Sequence, residues 1–261
     1  MILSTREQFT QCLEQREDGQ YIAHYKSLTL SSVYQPIYTK HTSMVGLEAL
    51  LRITRKDGSS VRPDLFFSSD SIPLDDKVNV ERLSRVIHIR NFAQSKFRDR
   101  KLFLNILPVV GDAMAVIDMT ESLLATRIKE LGLSLDQIVI EVVEHEHANE
   151  DLLKTAMKKL SEIGFHIAVD DYGVEASNRA RVETLSPDIV KMDRSLMLDY
   201  MQGNQAAMIS GIELARTLGC QVVIEGIETQ EQLDAMCALD LNMYQGYFLS
   251  MPDCVLKLKH S

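Results

Sequence analysis

The sequence predicts an α/β protein of the (β/α)₈ barrel class, built as a single domain. Three observations predict it. Short apolar runs recur along the chain: Lys101–Asn105, Gln137–Glu141, Ile167–Val169, Asp188–Lys191, Gln221–Glu225 and Asn242–Gln245. Stretches of helical length and amphipathic pattern separate most of them, and strands alternating with helices imply parallel pairing with both sheet faces covered. Each run also ends in, or leads straight into, a polar or charged residue, and polar residues ending many different strands gather on one face of such a barrel. A doubly wound open sheet is the alternative, but it collects ligands at one switch point rather than on every strand.

The elements follow in order. Residues 1–29 form an N-terminal extension, with a helix over Thr5–Gln15 and a strand over Tyr21–Leu30, too short to hold a sensor domain. The barrel is expected to occupy residues 30–261. Ser32–Tyr38 is its first strand, and Pro36 marks it as an edge, irregular or antiparallel strand. Val45–Arg52 follows, with Glu48, Leu50 and Arg52 sharing one face by period-two alternation. Glu48 and Arg52 could form a structural ion pair, or they could hold a metal and a phosphate.

Pro63 and Pro73 interrupt residues 59–74. A helix over Asp76–Ser95 carries Val78, Val80, Leu83, Val86, Ile87 and Phe92 on its buried stripe. Helices over Met119–Leu131, closed by Gly132, and over Asn149–Ile163 flank the strand that ends at Glu141. His145 and His147 lack the spacing of a helical zinc site and read as a solvated connection. A further helix covers Asn204–Leu218.

The segment Gly164–Gly173 is central. Its apolar strand runs straight into Asp170 and Asp171, which an extended backbone would aim to opposite sides. Two adjacent carboxylates at the end of a buried strand need compensation, and a divalent cation supplies it. Otherwise Asp171 caps the next helix and Asp170 is solvated.

Bulk composition narrows the function. The chain has 261 residues, 45% of them hydrophobic and 25% charged, which is ordinary for a globular domain. Its net charge of −9 argues against a nucleic-acid polymer as partner. The four cysteines (Cys12, Cys220, Cys237 and Cys254) are scattered and read as reduced thiols, in keeping with a cytoplasmic protein. No signal-peptide pattern and no apolar run long enough to span a membrane are visible.

The strand ends also carry an ordered set of motifs. Tyr34-Gln-Pro-Ile37 and Gly46-Leu-Glu-Ala-Leu-Leu-Arg52 resemble the opening of the EAL-domain family of cyclic di-GMP phosphodiesterases, whose tripeptide stands here as Glu48-Ala49-Leu50. Leu104-Asn105 resembles the family's strand-ending asparagine. Glu141-Val-Val-Glu144 resembles its E-I-T-E motif, and Asp170-Asp-Tyr-Gly173 its D-D-F-G. Lys191-Met-Asp193 resembles K-I-D, Glu225-Gly-Ile-Glu228 resembles E-G-V-E, and Gln245-Gly-Tyr247 resembles Q-G-Y. The set spans residues 32–252.

This resemblance implies a TIM-like barrel that opens cyclic di-GMP to linear pGpG in bacterial signalling. The implied chemistry uses two divalent cations about 3.5–4 Å apart. Glu48, Asn105, Glu141 and Asp170 would hold one metal, with Asp170 bridging to a second near Asp171 and Glu225. Lys191 would sit beside the attacking water and work with Glu48, Asp171 and Glu225 in catalysis; on its own it reads as a strand-end salt bridge. Gln35, Arg52 and Gln245 would contact substrate or order the site. Glu144 and Glu228 would anchor loops, and the family's link between such a loop and dimerisation implies a homodimer. An all-oxygen ligand set suits Mg²⁺ or Mn²⁺ rather than zinc, and Ca²⁺ is expected to inhibit.

One segment departs from the family. Val174-Glu-Ala-Ser-Asn-Arg179 stands where T-G-x-S-S-L is common, so glutamate replaces a glycine at position 175. Glycine supplies conformations that glutamate adopts poorly. A cyclic di-GMP receptor with little turnover is therefore the alternative reading.

Overall fold

A computed structural model describes residues 1–106, 123–142, 150–174 and 179–258. The chain begins with helix α1 (Arg6–Cys12), strands β1 (Leu13–Gln15) and β2 (Tyr21–Tyr25), and the long strands β3 (Leu28–Tyr38) and β4 (Met44–Arg55). A two-residue strand β5 (Ser60–Val61) and helices α2 (Pro63–Ser68) and α3 (Leu74–Ala93) follow. Strand and helix then alternate: β6 (Lys101–Ile106), α4 (Leu123–Glu130), β7 (Ile138–Val142), α5 (Glu150–Glu162), β8 (His166–Tyr172), α6 (Arg179–Leu185) and β9 (Ile189–Met192). The remaining elements are α7 (Arg194–Met201), α8 (Ala206–Leu218), β10 (Gln221–Ile224), α9 (Gln230–Cys237) and β11 (Met243–Tyr244).

Among the described residues, β3, β4, β6, β7, β8, β9, β10 and β11 pair in a ring, and the β3–β4 contact closes it into an eight-stranded barrel. The parallel run extends from β4 to β11, while β3 lies antiparallel to both of its barrel neighbours. Pro36 costs this strand nothing. Tyr34 donates its amide to Asp253 O on the side away from β4, and Pro36, two residues on, directs its nitrogen the same way.

The N-terminal extension differs from the expected helix and single strand. Leu13–Gln15 leaves the helix to pair with β2, and Lys26, at φ 54°, turns the chain back so that residues 21–30 contribute to two strands. The sheet β1–β2 thus continues outward from β3 beneath α3. The four helices expected over residues 76–95, 119–131, 149–163 and 204–218 match to within a few residues where they are described, and Gly132 closes α4 in the left-handed region at φ 71°.

The barrel interior is a thin apolar layer. Ile37, Phe103, Val139, Ala168, Ile189, Val223 and Met243 pack together there, with Val45 against them. Gly46 leaves room for the Phe103 ring, since a Cβ would come within 2.7 Å of its Cε2. Larger apolar layers lie between strands and helices, one around β6, β7, α3 and α5 and another around β9, β10, α7 and α8. No described helix is long and apolar enough to cross a membrane.

Candidate active site at the C-terminal mouth of the barrel

Strand alternation carries the chain from this apolar layer to the site. Two residues beyond each inward apolar position stands a polar one: Phe103 leads to Asn105, Val139 to Glu141, Ala168 to Asp170, Ile189 to Lys191, Val223 to Glu225 and Met243 to Gln245. Gly46 leads to Glu48 in the same way. Gln35, on the antiparallel strand, lies directly opposite Glu48 in register. One layer of polar side chains therefore caps the core at the end where barrel sites form.

Lys191 is the centre of this layer. It is 1% exposed, and its Nζ lies 2.6 Å from Glu141, 2.8 Å from Glu225, 2.9 Å from Asp170 and 3.8 Å from Glu48. Burial alone would pull the ammonium pKa down, but Asp170, Glu141, Glu225 and Glu48 outweigh it and hold the group well above its ordinary range. Burial pushes Glu141 and Glu225 well above the usual carboxylate range; Lys191 opposes this, while Asp170 and Glu48 add to it.

Glu48 is fixed from two sides, accepting from Asn105 Nδ2 at 3.0 Å and from Gln245 Nε2 at 2.7 Å. Gln35 donates to Ser250 O at 3.4 Å. Arg52 stands apart from this cluster, exposed, with Nη1 donating to the Leu51 carbonyl. Glu228 also lies outside it and pairs with Arg194 at 2.5 Å. Glu144, His145, His147 and Glu175 lie outside the described residues.

The adjacent carboxylates depart from simple alternation. Asp171 has φ 52°, and the β8–β9 register shifts between Val169 and Tyr172. This bulge turns Asp171 toward the side that Asp170 already faces, so oxygens of Asp170, Asp171 and Glu225 lie within 4.8 Å of one another. Aspartate is among the few residues that tolerate that backbone region. Burial, then the neighbouring Asp170 charge, pushes the Asp171 carboxyl up to about 6.

The donor set fits divalent metal. Glu141 Oε2 and Gln245 Oε1 are buried without a hydrogen-bond partner among the described residues, and every candidate ligand offers a hard oxygen. Five carboxylates (Glu48, Glu141, Asp170, Asp171 and Glu225) face one ammonium, a formal charge of −5 + 1 = −4. Divalent cations would offset that charge.

A family model described as the EAL domain matches residues 23–252, nearly the whole barrel. The chain belongs to the EAL domain family. It is 29% identical over 224 residues to an Escherichia coli K12 protein named probable cyclic di-GMP phosphodiesterase PdeB, covering 83% of this chain and 41% of that one. The Bacillus subtilis YkuI structure, described as an EAL-domain protein in complex with substrate c-di-GMP and calcium, superposes with a TM-score of 0.75 at 28% identity. The match covers 88% of this chain and 57% of YkuI. A Klebsiella pneumoniae BlrP1 complex with manganese and cyclic di-GMP gives a TM-score of 0.70 at 28% identity, covering 85% of this chain and 56% of that one. The chain thus spans less than two thirds of each of these proteins.

Two features of the site were not read from the sequence. The bulge at Asp171 leaves no mark beyond the paired aspartates themselves. Arg194 follows the Lys191-Met-Asp193 motif directly, and its position beside a strand-end motif was the available signal.

Proposed function

We propose that this EAL domain hydrolyses cyclic di-GMP to linear pGpG in the cytoplasm, as a homodimer, acting on a small anionic dinucleotide rather than on a nucleic-acid polymer. The observation that carries the reading is the partly buried carboxylate cluster at the barrel mouth, of formal charge −4 and built of oxygen ligands on converging strand ends. Glu48, Asn105, Glu141 and Asp170 would hold one Mg²⁺ or Mn²⁺, and Asp170, Asp171 and Glu225 a second. Bound there, the cations would polarise the scissile phosphoryl group and raise the acidity of water.

The protein's own side chains do the rest. Lys191 holds Glu141, Asp170 and Glu225 together, and its ammonium would sit beside the attacking water. Asn105 and Gln245 fix the orientation of Glu48, so that its oxygens are not free to rotate away. Gln35 and Gln245 line the mouth and Arg52 stands at its exposed edge, where each would contact the nucleotide. Water adds to one phosphorus, the bond from that phosphorus to the 3′ oxygen breaks, and the phosphate stays on the 5′ oxygen. The product is pGpG.

The glutamate at position 175, where the family commonly has glycine, favours a second reading: a receptor that binds cyclic di-GMP with little turnover. One experiment separates them. Purified protein is incubated with cyclic di-GMP and Mn²⁺, products are resolved chromatographically, and nucleotide binding is measured on the same preparation. The enzyme reading expects pGpG to accumulate over many turnovers. Tight binding of unchanged nucleotide supports the receptor.

A further inference from the structure

The geometry points to Arg194 and Glu228 as positioning residues for Glu225: an ion pair outside the carboxylate cluster that fixes the loop from which Glu225 enters it. This inference rests on the metal-binding role proposed for Glu225.

The loop begins immediately after β10. Gly226 sits in the left-handed region at φ 69°, and a Cβ there would come within 2.6 Å of both Cβ and Cδ of Arg194. The Arg194 stem therefore lies directly against the residue that follows Glu225. Its guanidinium continues to Glu228, with Nη2 2.5 Å from Oε2. Glu228 is held in turn, because its amide donates at 2.6 Å to Gln232 Oε1, the side chain that also closes the Thr229 capping box of α9.

Ile227, between the two, bonds to the third strand end. Its amide donates to Gln245 O at 3.1 Å, and its carbonyl accepts from Phe248 N at 3.0 Å. Arg194 opens α7, next to its N-cap Asp193, whose amide donates to Tyr172 O at 3.2 Å. The pair thus ties the end of β9, which carries Lys191, to the end of β10, which carries Glu225. Those two side chains meet at 2.8 Å.

Exposure separates positioning from simple stabilisation. The Arg194 and Glu228 side chains are 42% and 44% exposed, and ion pairs at such sites add little to stability. Breaking this one should loosen Glu225 while leaving the melting temperature nearly unchanged.

The test compares wild type with Arg194→Met, Arg194→Lys, Glu228→Gln and the double variant Arg194→Met/Glu228→Gln. Calorimetric titration with Mn²⁺, without nucleotide, is paired with thermal melting in chelator. Arg194→Met and Glu228→Gln should each weaken Mn²⁺ binding about tenfold, the lower end for lost partners of a ligand. The double variant should be no weaker than either single variant. Arg194→Lys, keeping stem and charge, should recover most of the affinity. Melting temperatures should stay within about 3 °C of wild type. Wild-type affinity in the single variants, additive losses in the double, no recovery with lysine, or a fall in melting temperature parallel to affinity would each overturn the inference. If wild type binds no Mn²⁺ at all, the proposed function fails with it, so the two failures are distinguishable.

Discussion

Replacing Lys191 with methionine removes the buried ammonium at the centre of the cluster while keeping a side chain of similar length. In the native arrangement that ammonium lies within 3 Å of three carboxylates, at 2.6, 2.8 and 2.9 Å, and it is 1% exposed. Removing one partner of a buried ion pair leaves an uncompensated charge and costs about 3–5 kcal/mol. At roughly 2–4 °C per kcal/mol for a domain of this size, chelator-treated Lys191→Met should melt on the order of 10 °C below wild type.

Two treatments should narrow that gap. Mn²⁺ supplies the missing positive charge, and a ligand at about a thousand times its dissociation constant stabilises by about 4 kcal/mol. The variant site carries one more net negative charge, so Mn²⁺ should raise its melting temperature more than that of wild type. Acid should act in the same direction. Carboxyls whose folded pKa is raised, such as Asp171 at about 6, take up protons more readily in the folded state. Their contribution is therefore present at low pH and lost as pH rises through the folded pKa. Fluorescence-monitored melts with chelator, with Mn²⁺ and at pH 5 measure all three effects. A chelator-treated variant within about 1 kcal/mol of wild type, or an equal Mn²⁺ shift in both proteins, would refute the reasoning.

Other outcomes follow from the same structure. Glu48→Ala should abolish pGpG formation while leaving the circular dichroism spectrum unchanged, because Glu48, held by Asn105 and Gln245, would ligate metal at a strand end rather than fill the apolar layer. Activity should require Mg²⁺ or Mn²⁺ and fall when Ca²⁺ is added, since Ca²⁺ takes longer bonds and looser coordination; equal rates in Ca²⁺ would contradict this. Buried His88, bonded through Nδ1 to Ser32 at 2.7 Å, is held down to about 3 by burial and then by Arg52. Its folded pKa lies below the unfolded value, so acid favours the unfolded chain between about pH 6.5 and 3, costing about 2 kcal/mol at pH 5. His88→Gln should flatten the stability difference between pH 7 and pH 5 by that amount in urea titrations. An unchanged slope would show that this histidine titrates elsewhere.

Much of the barrel was legible because period-two alternation and strand-ending polar residues are local patterns. Phe103 and Asn105, or Ile189 and Lys191, show in sequence the same two-residue step that the folded strands display. The family motifs added the order in which those ends should come together. What escaped was set by nonlocal geometry. Lys26 carries no turn signature, yet at φ 54° it splits the expected Tyr21–Leu30 strand in two. Leu13–Gln15 reads as helix until β2 is present to pair with it.

Alternation alone would send Asp170 and Asp171 apart, and only the bulge against β9 brings both carboxylates to one side. Arg194 and Glu228 are thirty-four positions apart, and their pairing depends on β9 and β10 being neighbours. Arg52 was grouped with Glu48 by strand face, but it lies four residues further along β4 and reaches the exposed edge rather than the lysine.

The most direct measurement is a single-turnover quench. Chelator-treated protein in excess is loaded with cyclic di-GMP, Mn²⁺ is added, and samples are stopped in acid and resolved for nucleotide. The account predicts intact cyclic di-GMP before the metal and stoichiometric pGpG after it, with no product from Glu48→Ala. Cyclic di-GMP that stays bound and intact after Mn²⁺, or pGpG formed before it, would contradict the central claim.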